Sequence, residues 1–241
     1  MLRAGPLVTA VCLVALLAPA RAVTVFDANL GFPGAQGWTT LTFGSLGTGS
    51  VSGGLYTTDS TGAGVDTWGQ FRFSPVTLNT LNGYMVDFTL RVAIENHGNN
   101  DRGGYSMLFV GADTTKSIEL AFWTNEVWAY DHNGSAFLHG VGAALDTTVQ
   151  RSYTLAVANQ QFTLSAGGSF LFGGSLENYS PQGLPYTLPG FVFFGDNTSS
   201  GSSRVEIASI AIAAVPEPGL AWLWLAGIAV LAAKARRRVV S

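Results

Sequence analysis

The chain has 241 residues, 47% of them hydrophobic and only 11% charged, with a formal net charge of −3. That small charge hides an acidic middle: residues 23–233 carry six basic residues (Arg72, Arg91, Arg102, Lys116, Arg151 and Arg204) against fifteen acids, a net of −9. An acidic body with few, scattered cations argues against nucleic acid and anionic lipid headgroups as partners.

Residues 1–22 read as a secretory signal peptide in helical form. Arg3 precedes an apolar stretch, Leu7–Ala18, and Ala20-Arg21-Ala22 supplies the small-x-small pattern that signal peptidase requires. Cleavage after Ala22 would start the mature chain at Val23. Cys12, the single cysteine, lies inside the apolar stretch, so the mature chain has neither disulfide nor thiolate metal site. Its stability must come from packing.

Residues 23–214 are of a size to build one two-sheet core. Thirty glycines, with many threonines and serines, describe short strands joined by tight turns. β-rich runs are expected at Val23–Leu30, Trp38–Phe43, Ser50–Thr58 and Trp68–Phe73. The clearest strand is Tyr84–Glu95, where apolar residues alternate with Asp87, Thr89 and Arg91; a period of two puts one face on a core and one in water. Further strands are expected at Tyr105–Val110, Ile118–Phe122, Glu126–Asp131, Tyr153–Val157, Phe162–Leu164, Ser169–Leu176, Phe191–Gly195 and Arg204–Ala213, with Asn159-Gln160 as a hairpin turn. No stretch of the body sustains a 3.6-residue period. The fold class is therefore all-β: a two-sheet antiparallel sandwich of jelly-roll type.

The body offers little chemistry. Glu119 and Glu126 are the best candidates for a glycosidase carboxylate pair, but a spacing of seven puts them on opposite faces of an unbroken strand. A turn at Thr124-Asn125 would reset that parity. His97, His132 and His139 form no zinc-binding pattern and are expected as polar loop residues. Gly47-Thr48-Gly49 and Gly62-Ala63-Gly64 lack a following helix and read as turn glycines. The body is expected not to be an enzyme, and no metal site or cofactor is assigned. Calcium could draw on oxygen ligands in Asn96–Asp101 or Asp196–Asn197, although Asn and Asp also simply make turns. Trp123, Trp128 and Tyr130 are candidates for stacking on a sugar, with Trp128 and Tyr130 on one strand face; core packing competes with that role.

Residues 215–241 carry an address. Val215-Pro216-Glu217-Pro218 is followed by an uncharged apolar run, Gly219–Ala233, and then by Lys234, Arg236, Arg237 and Arg238 in the tail 234–241. The run is expected to be a transmembrane helix. Its fifteen residues make only about 22 Å of helix against about 30 Å of hydrocarbon, and the long cationic side chains extend its reach into the headgroups. The positive-inside tendency places the basic tail in the cytoplasm and the body outside. Two prolines keep the motif extended, as a protease-like cleft requires.

Motif, apolar helix and arginine cluster, in this order, resemble the PEP-CTERM sorting signal of exported bacterial proteins. The resemblance implies recognition by exosortase, a membrane transpeptidase with a cysteine nucleophile, in Gram-negative bacteria that make exopolysaccharide. It makes Pro216, Glu217 and Pro218 a substrate site for another enzyme. Within the body, Ser117–Trp123, Thr163–Gly168, Tyr179-Ser180 with Pro185-Tyr186, and Phe191–Thr198 resemble a choice-of-anchor type of exported domain. That likeness implies a laminin-G- or concanavalin-A-like sandwich and brings no activity with it. The expectation is a non-enzymatic protein, exported by the secretion machinery, membrane-anchored until exosortase acts, then held at the cell surface or in the extracellular matrix with exopolysaccharide. A carbohydrate-binding, lectin-like surface module is the alternative, and a glycan-cleaving enzyme a distant one.

Overall fold

A computed structural model describes residues 22–62 and 64–215. The expected signal helix with Ala20, the motif Pro216, Glu217 and Pro218, and the expected transmembrane helix at 219–233 lie outside the described residues. Ala22 is exposed, one residue ahead of the first strand.

Among the described residues the chain forms fifteen strands. They are β1 (Val23–Asp27), β2 (Thr39–Gly44), β3 (Thr48–Ser52), β4 (Leu55–Asp59), β5 (Val65–Phe73), β6 (Tyr84–His97), β7 (Ser106–Val110) and β8 (Ser117–Phe122). There follow β9 (Glu126–His132), β10 (Phe137–Ala144), β11 (Arg151–Ala158), β12 (Gln161–Ala166), β13 (Ser169–Ser175), β14 (Phe191–Asn197) and β15 (Gly201–Ala214). All pairings are antiparallel. One sheet runs β13-β12-β11-β6-β15-β4-β3, with β1 also pairing to β15; the other runs β10-β9-β8-β7-β14-β5-β2. The expected two-sheet antiparallel sandwich is what the chain builds.

Val86, Phe88, Leu90 and Val92 of β6, with Val205, Ile207, Ile210 and Ile212 of β15, turn inward from the first sheet. They meet Met107, Phe109, Ile118, Leu120, Phe122, Val192 and Phe194 from the second. Phe88 stacks on Tyr153 with ring centroids 5.2 Å apart, and both meet Phe122 edge-on, so aromatic rings bridge the two sheets. Gly69 and Gly195 face each other across β5 and β14. A Cβ on Gly69 would lie 2.5 Å from the Phe193 ring, and one on Gly195 would lie 2.4 Å from Gly69 Cα, so neither site has room for a side chain.

The two sheets differ on their outer faces. The first meets water, and carries Arg91 bidentate on Glu206 (2.8 and 2.9 Å), Thr154 on Asp87 and Arg204 on Asp59. The second, at its central strands, is largely apolar on both faces. Leu108, Val110, Ala121, Trp123, Trp128, Tyr130, Phe191 and Phe193 form a separate cluster on its outer side, roofed by Tyr179 and Tyr186. The roof belongs to the segment 176–190, which hydrogen-bonds to β8 through the reciprocal Ser117–Glu177 backbone pair (2.9 and 3.0 Å) and to β9 through Tyr179 Oη donating to the Tyr130 carbonyl (2.7 Å). Strands buried on both sides read as apolar runs instead of alternating ones, and β7, β8 and β14 do so.

Three expectations are corrected. The run Ser50–Thr58 is two strands, because Gly53 and Gly54 both take positive φ and turn the chain between β3 and β4. β10 was not expected; its bulge between His139 and Gly142 breaks the period of two. The histidines are not loop residues: His97 ends β6, His132 ends β9 and His139 lies within β10. The Asn159-Gln160 turn forms as expected, with φ of 52° and 60°, and closes Ala158 onto Gln161.

Candidate functional site

On β8, Ile118, Leu120 and Phe122 point into the sandwich, so Ser117, Glu119 and Ala121 point to the outer face beneath the 176–190 segment. Glu119 thereby puts a carboxylate into an apolar cluster and leaves it only 2% exposed. Such a charge is stable only if it is hydrogen-bonded. Ser106 Oγ donates to Oε1 (2.7 Å), Asn197 Nδ2 to Oε1 (3.2 Å) and Tyr186 Oη to Oε2 (3.0 Å); Asn197 Nδ2 also donates to Tyr186 Oη (2.8 Å). Burial pushes the Glu119 carboxyl above the usual range, opposed by these hydrogen bonds and by the charge of Arg102.

Arg102 completes the site. Its Nη1 donates to the carbonyls of Asp101 (2.8 Å) and Phe137 (3.4 Å). The guanidinium lies 5.0 Å from the Phe137 ring centroid and 5.9 Å from that of Tyr130. The loop carrying it is pinned from both sides: Trp123 Nε1 donates to the Arg102 carbonyl (3.0 Å), and the Gly103 amide donates to Tyr130 Oη (3.0 Å). Arg102, Glu119, Tyr130, Phe137, Tyr186 and Asn197 enclose a recess of about 60 Å³. Beside it, a more apolar hollow of about 210 Å³ is lined by Tyr130, Asp131, Val141, Phe162 and Glu177, among others.

The three expected stacking residues do come together, but not as an open platform. Trp128 is wholly buried and Tyr130 is 5% exposed; Trp123, at 9%, has one face covered by the His97 ring at 4.0 Å. His139 stacks on Trp128 at 4.2 Å. The aromatic faces that a sugar would need are thus occupied by protein. Trp123 and Tyr130 instead position the arginine loop.

Glu119 and Glu126 share the outer face, against the expectation for an unbroken strand, because the Thr124-Asn125 turn resets the parity. Phe122 pairs with Val127, which sets Glu126 opposite Trp123 and four residues along β8 from Glu119. Trp128 stands between them on that face, and Glu126 does not line the space around Glu119. Glu126 instead pairs with His139 Nε2 (3.3 Å).

Of the two segments considered for calcium, Asn96–Asp101 is bonded to the chain just past Asp196–Asn197, through Gly98 N donating to the Ser200 carbonyl (2.6 Å). Two of their side chains serve other contacts: Asp101 Oδ1 accepts the His139 amide (2.9 Å), and Asn197 Nδ2 donates to Glu119 (3.2 Å). Among the described residues no group of three or more acids or histidines is placed to hold a metal ion.

The alternation on β8 could have found Glu119 as the one acid among inward and outward apolar positions. Arg102, Tyr186 and Asn197 reach it from up to 78 residues away and left no local signal.

By fold and site, this is a β-sandwich with a polar recess on the outer face of one sheet. Residues 214–238 match the family model of the PEP-CTERM protein-sorting motif, so the sandwich carries that motif directly after β15. No curated protein matches the chain. Among solved structures, the sandwich is similar to a conserved carbohydrate esterase of the Shiga toxin-encoding bacteriophage phi24B, with 15% identity, a TM-score of 0.59, and coverage of 81% of this chain and 100% of that one. It is similar also to a sialidase, with 11% identity, a TM-score of 0.50, and coverage of 81% of this chain but only 18% of the sialidase. At these identities the likeness is one of fold.

Proposed function

We propose that this chain is a non-enzymatic exported protein whose tail is recognised by exosortase and whose sandwich is delivered to the cell surface or the exopolysaccharide matrix. The match of residues 214–238 to the sorting motif carries this reading. The acidic, cysteine-free body supports it: a sandwich stabilised by packing alone is indifferent to the redox state of the compartment it enters. The separation of Glu119 and Glu126 supports a non-enzymatic role, since the recess holds a single carboxylate.

The test replaces Pro216, Glu217 and Pro218 together by alanine in an exosortase-bearing Gram-negative host. The unaltered chain is expected to lose its tail and leave the inner membrane, while the variant keeps its full mass and stays there. Identical mass and fraction for the two proteins would contradict the reading.

A second reading, a carbohydrate-binding surface module, is favoured by one observation. The outer face of the second sheet keeps a polar recess where packing alone would have filled it with apolar side chains.

A further inference from the structure

Resting on that second reading, we propose that the Glu119 recess binds one edge of a neutral, hydroxyl-rich sugar residue, with Glu119, Arg102 and Asn197 as its polar contacts.

A fully buried carboxylate is costly, and replacing Glu119 by an apolar side chain would complete the surrounding cluster of Leu108, Ala121, Tyr130 and Phe193. Instead the site spends three donors, Ser106, Asn197 and Tyr186, on keeping the charge in place. Packing offers no return for that expense; a ligand does. A carboxylate accepts about four hydrogen bonds. The three it takes here leave one lone pair free. Among the described residues Arg102 uses only Nη1, so Nε and Nη2 are open donors at the same recess. The Asn197 amide donates through Nδ2, and its carbonyl oxygen takes no hydrogen bond. Acceptor, donor and acceptor side by side suit adjacent sugar hydroxyls, each of which donates once and accepts twice.

Size and charge narrow the class. A volume of about 60 Å³ takes a few waters or one edge of a sugar ring, and excludes an entire ring. Glu119 is buried while Arg102, Phe137 and Asn197 are half-buried, so the recess has its floor at the carboxylate and its mouth at the arginine. The half-buried Phe137 ring at that mouth offers apolar wall to the C–H face of the residue entering it. A uronic acid would bring a second carboxylate onto Glu119, with one guanidinium to share between the two, inside a body that is already strongly acidic. A neutral sugar meets no such repulsion.

The experiment titrates the full-length chain, held in a sugar-free detergent, with glucose, mannose, galactose and N-acetylglucosamine, with short oligomers of each, and with glucuronate, read by calorimetry. At least one neutral sugar or oligomer is expected to bind, more tightly than glucuronate. Arg102→Met at the mouth and Glu119→Gln on the floor are each expected to weaken it about 10-fold or more, the effect of one lost charge-assisted hydrogen bond, and Asn197→Ala, also at the mouth, about 3-fold or more, that of a neutral one. If Glu119→Gln fails to fold, the two mouth variants carry the test. Undiminished binding in the folded variants would place the sugar elsewhere, overturning the recess and sparing the carbohydrate reading. A wild-type chain that takes none of the sugars overturns both. Tighter binding of glucuronate overturns the neutral class.

Discussion

At the scale of the single residue, Asp196 ties stability to pH. It sits at the end of β14, 1% exposed, with Oδ1 accepting the Thr198 amide (3.1 Å) and Oδ2 buried without a partner. Burial, with repulsion from Asp66 and Glu95, pushes its pKa up to about 8. The folded protein therefore holds this proton at neutral pH, whereas the unfolded chain releases it near pH 4. Since the folded state binds more protons between these values, stability falls as pH rises from about 4 to about 8 and levels off above that. Burial also raises Glu95 and Glu119, which adds slope of the same sign. Melting temperatures by calorimetry at pH 5, 7 and 9 should decline in that order, and Asp196→Asn, which is neutral throughout, should decline markedly less. An unchanged slope in the variant would remove Asp196 as the cause.

At the scale of the element, the segment 176–190 decides what the outer face of the second sheet can do. It has no strand of its own and is held by the Ser117–Glu177 pair, by Tyr179 and by Tyr186. Tyr179 is wholly buried, so Tyr179→Ala removes a large ring as well as its hydrogen bond and is expected to cost about 3–5 kcal/mol. Hydrogen exchange should then speed up in 176–190 and at Tyr130, while β6 and β15, on the opposite sheet, keep their relative protection. Uniform acceleration across both sheets would show that the segment is no separate unit. The same contrast explains what could be read in advance. β6 was legible because its outer face meets water and its alternation is clean. β7, β8 and β14 were legible as strands, yet their apolar runs do not say which residues face the roof. β10 escaped notice because His139, Gly140 and Gly142 surround a bulge. Trp128 and Tyr130 were rightly placed on one face; that the face is covered follows from Tyr179 and Tyr186, about 50 residues on, and no local pattern carries that. The recess was legible only as Glu119, since its other members converge through tertiary packing.

At the scale of the whole molecule, the described strands end in sequence where the match to the sorting motif begins. The sandwich from β1 to β15 is held by a core shared between its sheets, and it carries the polar recess at Glu119. The PEP-CTERM match begins at residue 214, where β15 ends. Severing the chain in or after Pro216-Glu217-Pro218 would therefore leave every strand among the described residues intact, as a sorted domain requires. The most direct test is the intact mass, with both terminal peptides sequenced, of the protein collected outside the cells of an exosortase-bearing host and of the same host lacking exosortase. The account predicts an extracellular chain that starts at Val23 and ends before the apolar run, and, without exosortase, a membrane-bound chain that still carries Arg236, Arg237 and Arg238. An extracellular chain that keeps the apolar run in both hosts would contradict it.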